Sequence, residues 1–528
     1  MSTNTSIFAR KSVADCEAES SLGGGLKRHL TRWHLTALGV GATIGAGIFA
    51  TTGTAIVGDA ARPGAGPAIV FSFLLTAVAC GFAALCYAEF ASMVPIAGSA
   101  YTYAYAAIGE FVAWIIGWDL IVEYAVGNIG VAIGWSGHFR ELISHFGLHL
   151  PAWLATDYRT AHDAFTALGA AAGGAVDPSL QYLASAWSEA PHLFGLPVIM
   201  NLPAALAVFT ITTILVIGIK ESANTNNAMV VLKIGIIVFF LAVGAFLIKP
   251  DNWNNPALGG FAPNGFKGIS AAAAIIFFSY IGFDAVSTAA EEAKNPAKDM
   301  PFGIIMSLVI CTVLYVLLSI VMTGMAPWKQ LGTPEPMITA LQYADGPPAL
   351  LTFSRFIIAL GAVIAMGSVL LVFQLGQPRI FYSMARDGLL PPVMAKVHPK
   401  FRTPYVGTIL TGTFVATFAA FANIAEVVDL TNIGTLFAFV LVSAGVIFLR
   451  KSDPDRPRPF RVPGVPFTPL ISIGACFYLM VQLPLVTWIR FGIWLAVGLV
   501  FYFLYGYRHS VLRTGKRPHI EPVSGGGH

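Results

Sequence analysis

Four ionisable side chains stand inside long apolar runs of this chain, and they are the residues best placed to do chemistry. Lys233 lies in Val230-Val231-Leu232-Lys233-Ile234-Gly235-Ile236, Asp284 follows Ser279-Tyr280-Ile281-Gly282-Phe283, and Asp119 and Glu123 stand four residues apart in a third run. A charge at bilayer depth costs about 2.5–3.5 kcal/mol on insertion scales, so each is a functional candidate. An amine at Lys233 can bind and release a proton during a cycle. The alternative is snorkelling to the near surface, since Lys233 is only six residues past Asn227. Asp284 either faces a substrate side chain or caps the half-helix that follows it. Asp119 and Glu123 share one helical face; Glu123 either reaches a cavity or pairs with a neighbouring span. Glu89 reads as a structural partner at an inner gate, and Glu291 and Glu292 as interface residues.

The backbone offers a second kind of chemistry. Gly39-Val40-Gly41-Ala42-Thr43-Ile44-Gly45-Ala46-Gly47-Ile48-Phe49 places four glycines in nine positions. Each costs a helix roughly 0.5–1 kcal/mol relative to alanine. Irregular backbone at membrane depth is tolerated only where protein buries it or it lines a cavity. Freed amides around Gly45, Ala46 and Gly47 would face a small anion such as a carboxylate; alternatively the glycines only let two helices pack closely. This is not a dinucleotide fingerprint, because Ile44 stands where the third glycine belongs. A second interruption follows Ala271-Ala272-Ala273-Ala274-Ile275-Ile276-Phe277-Phe278, where Ser279, Gly282 and Asp284 enter the run. Carbonyls freed near Phe278, Ser279 and Ile281 would offer partial negative charge to an ammonium group. Interrupted apolar segments at corresponding places in two halves point to a transporter's binding site. Amides at one break and carbonyls at the other describe a site for a zwitterion, an α-amino acid.

These residues must be positioned by membrane helices. The chain has 528 residues, 56% hydrophobic and 11% charged, against about 25% charged in a soluble domain. Apolar windows of membrane-spanning length predict twelve spans, at roughly 34–57, 67–92, 101–137, 201–219, 227–248, 267–290, 302–325, 353–382, 405–423, 429–449, 467–487 and 490–507. The expected fold is an all-α integral membrane protein. The interrupted spans are five apart, so spans 1–5 and 6–10 (about 34–248 and 267–449) would sit in opposite orientation, with two extra helices at about 467–507. Tails at 1–33 and 509–528 complete the layout; their glycine runs, Gly23 to Gly25 and Gly525 to Gly527, read as disordered. With the first tail in the cytoplasm, 22 Lys and Arg fall inside and 8 outside, Lys233 being left over. That asymmetry puts both termini in the cytoplasm. The longest connection, about 138–200, lies outside, and its His138, His145, His149, His162 and His192 read as solvated loop residues. Of five cysteines, Cys80, Cys86, Cys311 and Cys476 fall in apolar spans and Cys16 in the first tail; no disulfide or metal pattern is indicated.

The glycine-rich run of span 1 resembles the signature of the amino acid–polyamine–organocation superfamily. Phe277-Phe278-Ser279-Tyr280-Ile281-Gly282-Phe283-Asp284-Ala285-Val286-Ser287-Thr288-Ala289-Ala290-Glu291-Glu292-Ala293-Lys294-Asn295-Pro296 is similar to span 6 of the cationic amino acid transporter family and its bacterial relatives. The likeness covers about 30 to 510. It implies two inverted five-helix repeats plus two helices, alternating access, and in many members proton coupling without sodium. Carried over by motif, backbone at Thr43, Gly45, Ala46 and Gly47 would bind the carboxylate, and carbonyls at Phe278, Ser279 and Ile281 the amino group. Asp284 and Glu123 would border the side-chain pocket. Lys233 would stand where sodium-coupled cousins hold their ion.

The sequence therefore reads as a secondary transporter of the cytoplasmic membrane that moves amino acids, cationic or broad in range and including small neutral ones, by sodium-independent proton symport. An exchanger or uniporter without proton coupling is the alternative, and a non-transporting amino acid sensor a further one. Its partners would be the amino acid, the proton and the lipid membrane, with no nucleic acid and no cofactor or metal; a small membrane subunit is left open. No nucleophile–base pair or phosphate loop marks an enzyme.

Overall fold

The glycine-rich stretch does interrupt its helix. The computed structural model describes residues 6–11, 29–59, 61–93, 99–170, 178–218 and 223–516. Helix α1 (Arg32–Thr43) stops as Ile44 turns to φ −75°, ψ 97°. The chain resumes as a π-helical turn, Gly47–Thr51, and continues as α2 (Thr52–Val57). The wider turn leaves carbonyls out of register with the α-ladder, and hydroxyls take them up. Thr51 Oγ1 donates to the Gly47 carbonyl at 2.7 Å, and Thr52 Oγ1 to that of Ile48 at 3.1 Å.

The next spans are α3 (Ile69–Met93) and a long helix made of α4 (Glu110–Ile121), a π turn at Val122–Val126 and α5 (Gly127–Ser144). Helix α6 (Leu202–Ile217) is capped by the Asn201 side chain, which accepts from the Ala204 amide; α7 (Ala223–Ala245) follows. Helix α8 (Gly265–Ile276) tightens into a 3-10 turn over Phe277–Tyr280 and breaks at Ile281 (ψ 136°) and Gly282 (φ 112°). It resumes as a 3-10 stretch, Phe283–Glu292. The remaining spans are α9 (Pro296–Met325), α10 (Pro348–Arg386), α11 (Tyr405–Phe421), α12 (Ile424–Ser452), α13 (Phe467–Val481) and α14 (Leu485–Phe501). Among the described residues nine helical stretches are long and apolar enough to cross a membrane, and α6, α11 and α13 are shorter apolar helices.

The interrupted stretches form the centre. In their most apolar windows 89% of residues in Arg32–Val57 and 94% in Gly265–Ser287 are buried, against 22% in the stretch containing α14. Helix α9 lies along α1 and α3, α10 along α5, and α12 against the Val122–Val126 turn and α13.

The two faces are closed differently. One gathers both ends of the described chain: Arg513 donates to the Ser6 carbonyl, and the Glu110 amide to that of Ala9. There the buried Glu110 carboxylate accepts from Tyr502 Oη at 2.8 Å and Arg513 Nε at 3.0 Å. Glu89 takes a two-pronged bond from Arg450, at 2.9 and 2.6 Å, and the Val462 amide at 2.7 Å, so it is a structural partner. The amides of His29 and Leu30 also donate to the Glu292 carbonyl, and the Lys294 amide to that of Leu30 at 2.8 Å. On the opposite face Arg62 bridges Asp59 and Asp429, at 2.6 and 2.8 Å. Burial works against its charge, but Asp429 and Asp59 hold the guanidinium's pKa above its usual value.

Three expectations change. Span 3 was expected to be continuous over 101–137, yet Gly109, at φ 126°, separates Ser99–Ala107 from α4. A side chain there would also meet the Phe8 carbonyl at 2.6 Å. His138 is not a solvated loop residue. Leu142 and Ile143 prolong the apolar pattern of Trp135 and Phe139, so α5 runs to Ser144 and buries His138, whose Nδ1 lies 3.1 Å from the Gly134 carbonyl. The long connection also folds: helices Tyr158–Ala170 and Pro178–Glu189 pack around Ala161, Ala186 and Ile199, and His192–Leu193 pairs with Leu196–Pro197. His149, His162 and His192 are exposed, while His145 is half-buried. Cys16 and the terminal glycine runs lie outside the described residues.

Candidate functional site

The two breaks touch. Any side chain on Gly47 would collide with the Ser279 backbone, and a Cβ on Gly282 would sit 2.8 Å from the Ala42 carbonyl. Glycine at these two positions lets the backbone beside one break pass close to the backbone beside the other. Helix α5 closes over the crossing through two more small positions. A Cβ on Gly134 would meet Ala50 at 3.0 Å and Ala46 at 3.4 Å, and one on Gly130 would meet the Phe278 ring at 3.3 Å. Helix α10 supplies the other wall, with Val369 3.0 Å from where a Gly45 Cβ would stand.

Each break has a carbonyl end and an amide end, as any helix terminus does. At the first, other helices cover the carbonyl end. Lys233 is 1% exposed and reaches across from α7, its Nζ donating to the Gly41 carbonyl at 2.5 Å. That excludes the snorkelling alternative. Tyr315 Oη from α9 donates to the Thr43 carbonyl at 3.1 Å. A lysine amine and a phenol hydroxyl thus hold the carbonyl end of α1. The amides of Gly45, Ala46 and Gly47 open the next half-helix, and Thr43 Oγ1 is buried beside them with no hydrogen-bond partner.

At the second break the polarity is reversed. Asp284 stands in the first turn of the Phe283–Glu292 stretch, and its carboxyl faces the amides of Gly282, Ala285 and Asp284 itself. It stands at the amide end, though neither of its oxygens closes a capping hydrogen bond. The carbonyl end turns through Phe278, Ser279 and Ile281, all buried, and Ser279 Oγ has no partner. Behind it Asn432 of α12 donates to the Ala274 carbonyl at 2.7 Å.

Glu123 lies in the π turn of the third span and is 2% exposed. Its carboxyl neighbours those of Asp284 and Asp119 and the Thr435 hydroxyl. Among the described residues, both oxygens of Asp284 and of Asp119, and Oε2 of Glu123, are buried without a hydrogen-bond partner. Tyr87 Oη, similarly placed, shares the neighbourhood. The structure thus brings Thr43, Gly45, Ala46, Gly47, Phe278, Ser279, Ile281, Asp284 and Glu123 to one crossing, with Lys233 behind it. Tyr315, Asn432, Tyr87 and Thr435 escaped the sequence reading. Their only signal is a polar tip in an apolar helix, which must find a buried partner.

This geometry has counterparts in known proteins. The amino acid permease family model matches residues 30–504, nearly all of the chain. The chain belongs to the amino acid permease family. This permease is 47% identical to the branched-chain amino acid permease BcaP of Bacillus subtilis (strain 168), over 96% of its own length and 99% of the relative's. It is 44% identical to the methylthioribose transporter of the same organism over the same shares. Against the vacuolar cationic amino acid transporter 2 of Arabidopsis thaliana the identity is 37%, over 85% of this permease and 64% of the relative. The resemblance to the amino acid–polyamine–organocation superfamily, drawn from spans 1 and 6, is thereby established. The permease is a membrane transporter rather than an enzyme.

Proposed function

We propose that this permease is a secondary transporter that brings α-amino acids across the cytoplasmic membrane by sodium-independent proton symport. One observation supports the reading: the two helix breaks touch, through Gly47 against Ser279 and Gly282 against Ala42. Amides at Gly45, Ala46 and Gly47, beside Thr43, take the carboxylate. Carbonyls at Phe278, Ser279 and Ile281 take the ammonium. Val369 and Phe278 suit aliphatic side chains, and the Glu123 and Asp284 carboxyls suit a cationic one, so the range is broad. Two of the three named relatives, one for branched-chain and one for cationic amino acids, support that breadth, and the third is named for methylthioribose.

Lys233 is the proton carrier in this reading. Charged, it holds the Gly41 carbonyl and fixes the end of α1; neutral, it releases the charge interaction that holds this end. Twelve spans fit the described ends better than nine. Ser6 and Arg513 touch on one face, which requires an even number of crossings. The nine long stretches alone would leave the ends apart, and α6, α11 and α13 restore them. The layout is then two inverted repeats, about 34–248 and 267–449, plus helices at about 467–507, between cytoplasmic tails.

The test is uptake of labelled leucine, alanine and arginine into liposomes carrying the purified permease, with and without an inward proton gradient. Gradient-driven accumulation is expected. Exchange without accumulation overturns proton symport, and binding without flux revives the sensor.

A further inference from the structure

A cavity of about 390 Å³ opens on the side of the bundle, away from the crossing. Its walls come from Trp135 of α5, Leu206 of α6 and Gly367 and Leu370 of α10, and Leu154 of the long connection also lines it. The polar groups nearby are already satisfied. Trp135 Nε1 donates to the Val363 carbonyl at 3.0 Å, and Thr210 Oγ1 to that of Leu206 at 2.8 Å. An occupant finds no hydrogen-bond partner here, so it must be apolar.

Helix α6 says which apolar occupant. At 16 residues it spans about 24 Å at 1.5 Å per residue, short of the ~30 Å hydrocarbon core. Its outer face is bilayer-facing, with Leu206 54% and Phe209 46% exposed. The cavity begins beside Leu206 and is continuous with that face. A short span leaves bilayer beside it to be accommodated, and a volume in this range suits one flexible chain rather than a folded partner.

We infer that this cavity is a binding site for one acyl chain of a bilayer phospholipid, seated between α5, α6 and α10. The chain would rest on the outer side of a wall whose inner side meets the crossing. Gly367 and Leu370 line the cavity, while Met366 and Val369, on the same turns, lie against Gly134 and Gly45. The occupant braces α10 where it borders the first break. This inference stands whether or not the transport reading does, because it concerns lipid and not substrate.

The experiment places the full-length permease in nanodiscs of phosphatidylcholine carrying a diazirine on one acyl chain, then maps the photo-adducts by mass spectrometry. Adducts on residues 202–211 and 135–139 are expected several-fold above those on the bilayer face of α14 (Ile489, Ile493, Val497). Leu206→Trp, which fills the cavity, should remove the excess. Ala207→Leu serves if the first variant does not elute as a monodisperse protein. Equal labelling of α6 and α14 overturns the site in favour of ordinary annular lipid. A co-purifying peptide found at the cavity in place of lipid adducts overturns the choice of occupant.

Discussion

The two breaks look alike in composition and are finished in opposite ways. At the first, side chains from α7 and α9 take up carbonyls: Lys233 bonds Gly41 and Tyr315 bonds Thr43, and the amides of Gly45, Ala46 and Gly47 stand at the other end. At the second, the stretch's own Asp284 carboxyl stands at the amide end without a capping hydrogen bond, and the turn through Phe278, Ser279 and Ile281 forms the carbonyl end. Two unwound helices would by themselves present both polarities twice, and a zwitterion could then bind in either sense. In the proposed reading, occupying one end of each would fix its direction, and specificity for the common amino acid core would come from what the protein hides as much as from what it presents.

The comparison can be broken most severely at its contact. Gly47→Val should abolish uptake and most folded protein, because the obstacle is the Ser279 backbone rather than a yielding side chain. The loss should exceed the about 1–3 kcal/mol typical of overpacking, whereas Gly45→Ala, which meets only Val369, should stay within it. Thermal unfolding with parallel uptake separates the two. Next, Lys233→Ala leaves the Gly41 carbonyl buried and unpaired, at about 1–3 kcal/mol. Uptake across a pH series should flatten; an unchanged profile would remove Lys233 from proton coupling. Asp284→Asn replaces a fully buried carboxyl by an amide of the same shape, so the fold should survive with a stability change on the order of 1 kcal/mol. Arginine uptake should fall while leucine uptake holds, and an unchanged ratio would confine Asp284 to a structural role. Tyr315→Phe removes one hydrogen bond and should cost about 0.5–1.5 kcal/mol, read as a small drop in melting temperature.

Much of this was legible in the sequence because it is local. Glycine spacing located both breaks, and apolar windows located the spans. What was not legible is set by contacts between distant residues. Whether Lys233 snorkels or is buried depends on Gly41, 192 residues earlier. Asn432 meets Ala274 across 158 positions, and Tyr315 meets Thr43 across 272. No periodicity encodes such pairs. The π turns at Gly47–Thr51 and Val122–Val126 were hidden because one extra residue per turn barely disturbs an apolar pattern. His138 was misread because its helix outlasts the length a bilayer needs.

The small parallel bridge at the face of the chain ends has a mechanical meaning. Leu30, two residues before α1, is tied in both directions to the backbone of Glu292 and Lys294, where the second broken stretch ends. In the proposed transport reading the bridge would act as a yoke, tying the first half of one broken span to the second half of the other so that they would swing as a single lever. Opening toward that face would then have one coordinate rather than two, and displacing only one arm would cost the yoke's hydrogen bonds.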